Sequence, residues 1–382
     1  MIMQQKSNNI HHARVYKFLR NCLIIFLFCA IIMLNGRKKA YNEVFMQTLL
    51  KNTQAYRLLK TESEEGRLGH AYLLLLNDAR NLRSALKTFA KLFLQNEFEE
   101  NSPAFQRVCN LIDTENFSDC LFFPAEGKKL AVEDAEKILE ESTLNPIETQ
   151  KKIFVLGDFA EANTQTQNKL LKLLEEPPAG VIFLLGATTV FPVLPTVLSR
   201  TKKLEIQPFN IEEITQCLAR IYQDRFDEQT LSLCAAASGG SLGEAQNIAE
   251  GGHYQTLVEN AFALALSESS RLPALVKQIG DTKQQKELLS LLRLLFRDAL
   301  LLKTSMKNKP TNHPTTSLKR NILLKNELVR IQKMTELYTL PALIYAQEAI
   351  SEAEKQVKFN AVFPQCIELC IANIRQKNKK EI

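Results

Sequence analysis

The chain has 382 residues, 45% of them hydrophobic and 24% charged, with 13 Gly and 13 Pro. That length accommodates about two to four domains, and the composition excludes disorder, collagen-like repeats and a disulfide scaffold. The net charge of +6, from 48 Lys+Arg against 42 Asp+Glu, is small and spread along the chain, so it permits nucleic-acid contact without implying it.

Cys22 to Leu34 form an uninterrupted apolar run, preceded by Lys6, Arg14, Lys17 and Arg20 and followed by Arg37, Lys38 and Lys39. The run is shorter than the ~20 residues that span a bilayer, and Asn35-Gly36 is a poor cleavage site. Residues 1–45 therefore read as an extension that is either untranslated or a short hydrophobic segment, and Met46 is the expected start. A membrane tether through Cys22–Leu34 is the alternative, and peptides from the native N-terminus would separate the two.

The next element is His70-Ala71-Tyr72-Leu73-Leu74-Leu75-Leu76, an apolar run of strand length, followed by a helical pattern through Leu86, Phe89, Ala90 and Phe93. Lys152–Leu156 and Val181–Leu185 lack polar alternation, as strands covered on both faces do. Between them Asn163 can cap a helix carrying Gln167, Leu170, Leu171 and Leu174, stopped by Pro177-Pro178. With a shorter strand at Lys203–Ile206, residues 46–207 read as a parallel sheet flanked by helices. Ile211–Glu250 is helical, broken at Ser238-Gly239-Gly240-Ser241, and makes a small helical domain over 208–252. From 253 to 382 every long segment is helical, including Glu287–Leu302 and Glu327–Ile350, around the polar 309–314 loop.

Eight cysteines without a regular framework sit mostly in apolar stretches, the pattern of a reducing compartment. Cys109 and Cys120 come nearest to a metal pattern, but tetrahedral zinc needs four ligands and no second pair lies nearby. The basic residues Lys303, Lys307, Lys309, Lys319, Arg320 and Lys325, and again Arg375, Lys377, Lys379 and Lys380, lack interleaved aromatics and read as a solvated face and tail.

One ordered combination is specific. Asn168-Lys169-Leu170-Leu171-Lys172-Leu173-Leu174-Glu175-Glu176-Pro177-Pro178, then Leu194-Pro195-Thr196-Val197-Leu198-Ser199-Arg200-Thr201, with His70-Ala71-Tyr72-Leu73 upstream, resembles the clamp-loader branch of the AAA+ ATPases. The resemblance covers residues 46–375, weakly beyond the first domain. It implies an α/β AAA+ core, a helical lid and an all-α collar through which subunits pack into a ring.

Position by position, the resemblance also implies losses. Active members carry glycines that open backbone N–H groups to phosphate and a Lys that reaches the β/γ oxygens. This chain has Leu76, Asn77, Asp78, Ala79, Arg80, Asn81, Leu82 and Arg83 there. Side chains at the glycine positions would crowd a phosphate, Asp78 would repel it, and Arg83 reads as a solvated helix-surface residue. Gly157-Asp158 stands where Asp-Glu would hold Mg²⁺, so the metal carboxylate is missing and Asp158 takes the place of the catalytic Glu. In Ser241-Leu242-Gly243-Glu244-Ala245, where a working second sensor places Arg, Glu244 reverses the charge. Thr188 and Thr189 fit the first sensor and read as strand-end hydrogen bonders. Of the family's zinc cysteines only Cys109 has a match. The expectation is no cofactor and no metal.

Arg200 differs. The resemblance implies an arginine finger that reaches a neighbour's γ-phosphate, against the plain alternative of a surface ion pair. Ser199 reads as a local backbone hydrogen bonder. The whole points to a cytoplasmic, catalytically silent clamp-loader subunit. Its implied partners are ATPase subunits and a delta-type subunit in a five-membered ring, with the sliding clamp and primer-template DNA met through the complex. A self-sufficient ATPase and a membrane-tethered adaptor are the rival readings.

Overall fold

The computed structural model of the chain describes residues 43, 45–99, 102–251, 254–280, 284–307, 322, 324, 327–359 and 361–379. The apolar run Cys22–Leu34 and the polar 309–314 segment lie outside these residues, as do Lys319, Arg320, Lys325 and Lys380.

Helix α1 (Gln54–Glu64) leads into a five-stranded, all-parallel sheet of β1 (Ala71–Leu75), β2 (Cys120–Phe123), β3 (Lys152–Asp158), β4 (Val181–Ala187) and β5 (Lys202–Glu205), in the order β2-β3-β4-β1-β5. The connections run through α2 (Leu82–Leu94), α3 (Pro103–Asp113), α4 (Val132–Ser142), α5 (Thr164–Glu175) and the single turn α6 (Pro195–Leu198). Side chains alternate between two buried clusters. Tyr72, Leu74, Ile153, Val155, Ile182 and Leu184 join one, and Leu73, Leu75, Phe154, Leu156, Phe183 and Leu185 join the other. Both faces of β1, β3 and β4 are covered, which is why those strand sequences show no polar alternation. Helix α2 lies close on β4 because position 186 is Gly: a Cβ there would stand 2.7 Å from Leu86 Cδ1.

Strand β2 and helices α3 and α4 are among the elements without a counterpart in the sequence reading. Strand β2 is a four-residue edge whose last three side chains are only half-buried, so it lacks the apolar length of an interior strand. Helices α3 and α4 bury narrow stripes, Val108 with Ile112 and Ala135 with Ile138. Strands β3 and β4 each run two residues beyond the expected ends, and β5 starts and stops one residue earlier than expected.

Three helices follow: α7 (Ile211–Tyr222), α8 (Glu228–Ala237) and α9 (Leu242–Glu250). The turn between α8 and α9 needs its glycines. Gly240 has φ 89°, and a Cβ there would meet Pro208 Cβ at 2.4 Å. The C-terminal part is helical: α10 (Tyr254–Leu266), α11 (Leu272–Ile279), α12 (Gln285–Lys307), α13 (Leu328–Leu337), α14 (Leu340–Lys358) and α15 (Phe363–Lys379). Its core pairs Phe296 with Tyr338 at 5.2 Å, and the Tyr338 hydroxyl donates to the Ala265 carbonyl at 2.7 Å. Among the described residues no helix is long and apolar enough to cross a membrane.

Candidate functional site: the strand ends and Arg200

Parallel α/β sheets bind ligands at the carboxyl ends of their strands, where loops and helix N-termini converge. Here that edge carries the loop after β1. Asp78 is 3% exposed and receives Asn81 N at 3.0 Å, Asn81 Nδ2 at 2.9 Å and, from the lid, Gly243 N at 2.8 Å. A carboxylate thus sits on the first turn of α9, where unpaired N–H groups and the helix dipole favour an anion. Arg80 reaches the same helix, donating to Asn247 Oδ1 at 3.0 Å and Glu250 Oε2 at 2.8 Å, while the Tyr222 hydroxyl donates to Glu250 Oε1 at 2.9 Å.

Two expectations are corrected at this edge. Arg83 is not solvated: it is bidentate to Glu115 at 2.6 and 2.5 Å, donates to the Pro124 carbonyl at 3.0 Å and lies over the Phe122 ring. Burial pushes the Glu115 carboxyl up, but the Arg83 and Lys87 contacts outweigh it and hold the group below the usual carboxylate range. The lid residue that faces the loop is Gly243, not Glu244. A Cβ at Gly243 would stand 2.2 Å from Asp78 Oδ1 and 2.7 Å from Arg80 Cβ. Glu244 turns to Glu287 of α12, and burial followed by that neighbouring carboxylate pushes its carboxyl up.

The sign of that shift makes a prediction. A carboxyl raised in the folded chain contributes its full stability below the unfolded value and loses it as pH rises through the folded one. Glu244→Gln is therefore expected to leave Tm unchanged near pH 4 and to raise it above wild type by a margin that grows toward pH 7. Parallel melting curves of the two chains across that range check it, and a constant margin would refute it.

At the end of β3, a Cβ on Gly157 would press on Pro124 Cδ at 3.3 Å and lie 3.9 Å from the Arg83 guanidinium. A cation therefore stands beside the place expected for the metal carboxylate. Asp158 accepts from Thr188 Oγ1 at 2.9 Å, Thr188 N at 3.3 Å and Ala160 N at 3.2 Å, although burial pushes its carboxyl up. These bonds tie β3 to β4. A cleft of about 240 Å³ remains between the strand ends and the Gly239-Gly240 turn, touching Leu76, Asn77, Thr188, Glu205 and Ser241, and no Lys or Arg of the described residues lines it.

Arg200 lies at the other edge. Parallel pairing sets Tyr72 opposite Lys202 and Leu75 opposite Glu205, so Arg200 precedes the amino ends of the strands while Asp78 follows their carboxyl ends. The length of β1, roughly 15 Å at ~3.3 Å per residue, separates the two. Its guanidinium donates to the Thr196 carbonyl at 2.8 Å and to Ser199 Oγ at 3.1 Å, and pairs with Glu175 at 2.7 Å. Ser199 Oγ itself donates to the Thr196 carbonyl at 3.1 Å.

The motif residues around Arg200 are its frame. His70 Nε2 donates to the Leu174 carbonyl at 3.1 Å, and the Tyr72 hydroxyl receives Gly69 N at 2.7 Å and donates to Glu62 at 3.0 Å. Gln167, a helix-spacing residue in the sequence, is 1% exposed and bridges three backbones: its amide donates to the Ala162 and Pro192 carbonyls at 3.0 Å each, and its oxygen receives Leu194 N at 2.9 Å. Its alternating helix position signalled burial but not this bridge. Cys109 lies on α3 and Cys120 on β2, burial pushing both thiols up, and no group of three or more His, Cys, Asp or Glu among the described residues is placed to hold a metal ion.

Residues 51–210 match the family model described as DNA polymerase III, delta subunit. The chain is 28% identical over 229 residues to the DNA polymerase III subunit gamma of Buchnera aphidicola subsp. Baizongia pistaciae, covering 58% of this chain and 59% of that one. It is 27% identical over 176 residues to the DNA polymerase III subunit delta' of Bacillus subtilis, covering 46% of this chain and 51% of that one. The chain thus spans less than two thirds of the length of either relative. A solved gamma-subunit-related protein of Thermotoga maritima aligns with 84% of this chain and 99% of its own at 16% identity and a TM-score of 0.38.

Proposed function

We propose that the chain is a delta-prime-like member of the DNA polymerase III clamp-loader family, to which its match over residues 51–210 and its likeness to gamma and delta' subunits point, a ring member without ATP turnover of its own that lends Arg200 to the ATP site of a neighbouring ATPase subunit. The observation that carries this reading is the placement of Arg200 at the sheet edge opposite the loop after β1. A guanidinium there is out of reach of its own strand ends and partly exposed, though paired with Glu175 in the lone chain, and such a group supplies charge stabilisation in the transition state of phosphoryl transfer. The silence of the own site is supported by Asp78 on the lid helix, by Arg83 held on Glu115, and by a cleft without cationic lining. In this reading the partners are ATPase subunits and a delta-type subunit in a five-membered ring, acting in the cytoplasm, and the sliding clamp and primed DNA are met through the assembled complex.

Likeness to a gamma subunit supports a second reading, a subunit that binds and hydrolyses ATP by itself. Calorimetric titration of the full chain with MgATP decides between them. No binding heat is expected; a micromolar Kd would overturn the first reading in favour of the second.

A further inference from the structure

We propose that Asp78 is an internal ligand of the lid: its carboxylate on the first turn of α9 holds α7–α9 against the strand ends, so the chain sets that angle without any bound molecule. The joint is tertiary, since loop and helix lie 165 positions apart in sequence. Asp78 is buried and its oxygens meet only N–H donors, two from Asn81 and one from Gly243. The fit is mutual. A Cβ at 243 would overlap Asp78 Oδ1 at 2.2 Å, so the carboxylate enters only because that position is Gly. Beside it the fully buried Gln246 takes the far side of Asn81 Nδ2 at 3.5 Å, and Arg80 adds a second tie to Asn247 and Glu250. Glu250 carries the connection to α7 through Tyr222. The first-turn amide of Gly243 has no helical acceptor, so Asp78 supplies its protection.

This joint stands whether or not Arg200 serves a partner. It is tested by hydrogen–deuterium exchange on the full chain in four forms: wild type, Asp78→Ala, Gly243→Ala and the double variant. In Asp78→Ala the amides of residues 243–246 are expected to exchange at least ten-fold faster, with those of β3 and β4 unchanged. Gly243→Ala is expected to do the same, because its methyl expels the carboxylate, and the double variant is expected to exchange no faster than either single one. Unchanged exchange at 243–246 in Asp78→Ala, an equal rise through β3 and β4, or multiplying effects in the double variant would each overturn the proposal.

Discussion

Arg200→Ala is expected to slow ATP hydrolysis at the partner site it faces by about 10³-fold or more in a reconstituted ring, the range in which arginine fingers act. The contact is made mainly in the transition state, so kcat falls while nucleotide affinity and ring assembly survive. Folding is little affected, because the pair with Glu175 is partly exposed on both sides and such pairs contribute about 0–1 kcal/mol. Arg200→Lys is expected to rescue poorly, since an ammonium cannot reproduce the planar fork that bonds Thr196, Ser199 and Glu175 at once. The measurement is DNA-stimulated ATPase activity with wild-type and variant chains, together with size-exclusion analysis of the ring. Full turnover in an intact Arg200→Ala ring would reduce Arg200 to a surface residue and the chain to a scaffold.

Gln167→Leu is expected to be the more damaging change to the fold. The side chain is buried and serves one N–H and two carbonyls, all left without their partner by an apolar isostere. At about 1–3 kcal/mol for a buried polar group stripped of its partner, with some regained from water, a loss of about 2–4 kcal/mol follows. Gln167→Glu keeps the acceptor for Leu194 N but sets a buried carboxylate against the Ala162 and Pro192 carbonyls, and is expected to cost at least as much at neutral pH. The bridge holds the chain that leads into α6 and Arg200, so a second effect on turnover in the ring accompanies the first. Urea titration reads the stability loss, and a change below about 1 kcal/mol would show that the bridge does not hold the loop.

Much of the sheet was legible because burial on two faces writes itself as unbroken apolar runs, as in Lys152–Leu156 and Val181–Leu185. Strand β2 was not, because an edge needs only one side of its four residues covered. Arg200 was legible as a position within a motif, but its partner Glu175 lies in the other half of that motif, and nothing in either string says that they touch. Arg83 was misjudged and the partner of Asp78 went unseen for one reason. Each was read from its own loop, while its partners, Glu115 and Gly243, arrive from elements far along the chain. Glu244 was given the facing position by its place in the Ser241–Ala245 motif; the residue that faces the loop is the one with no side chain at all.

The strand order sets a timetable for synthesis. Strand β1 lies inside the sheet, yet it is the first strand to be made, and its neighbours are the last two. Ala71 waits for Phe183, 112 positions further on, and Tyr72 waits longer for Lys202. At ~5–20 residues per second, the stretch Ala-Tyr-Leu-Leu-Leu leaves the ribosome roughly 5–20 s before either of its edges can be filled. An apolar strand with two open edges templates pairing with other nascent chains, so this interval is the period of greatest aggregation hazard and of greatest demand for a holdase. The hazard ends abruptly, because β4 and β5 follow each other within one short stretch, Val181 to Glu205, and close both edges together.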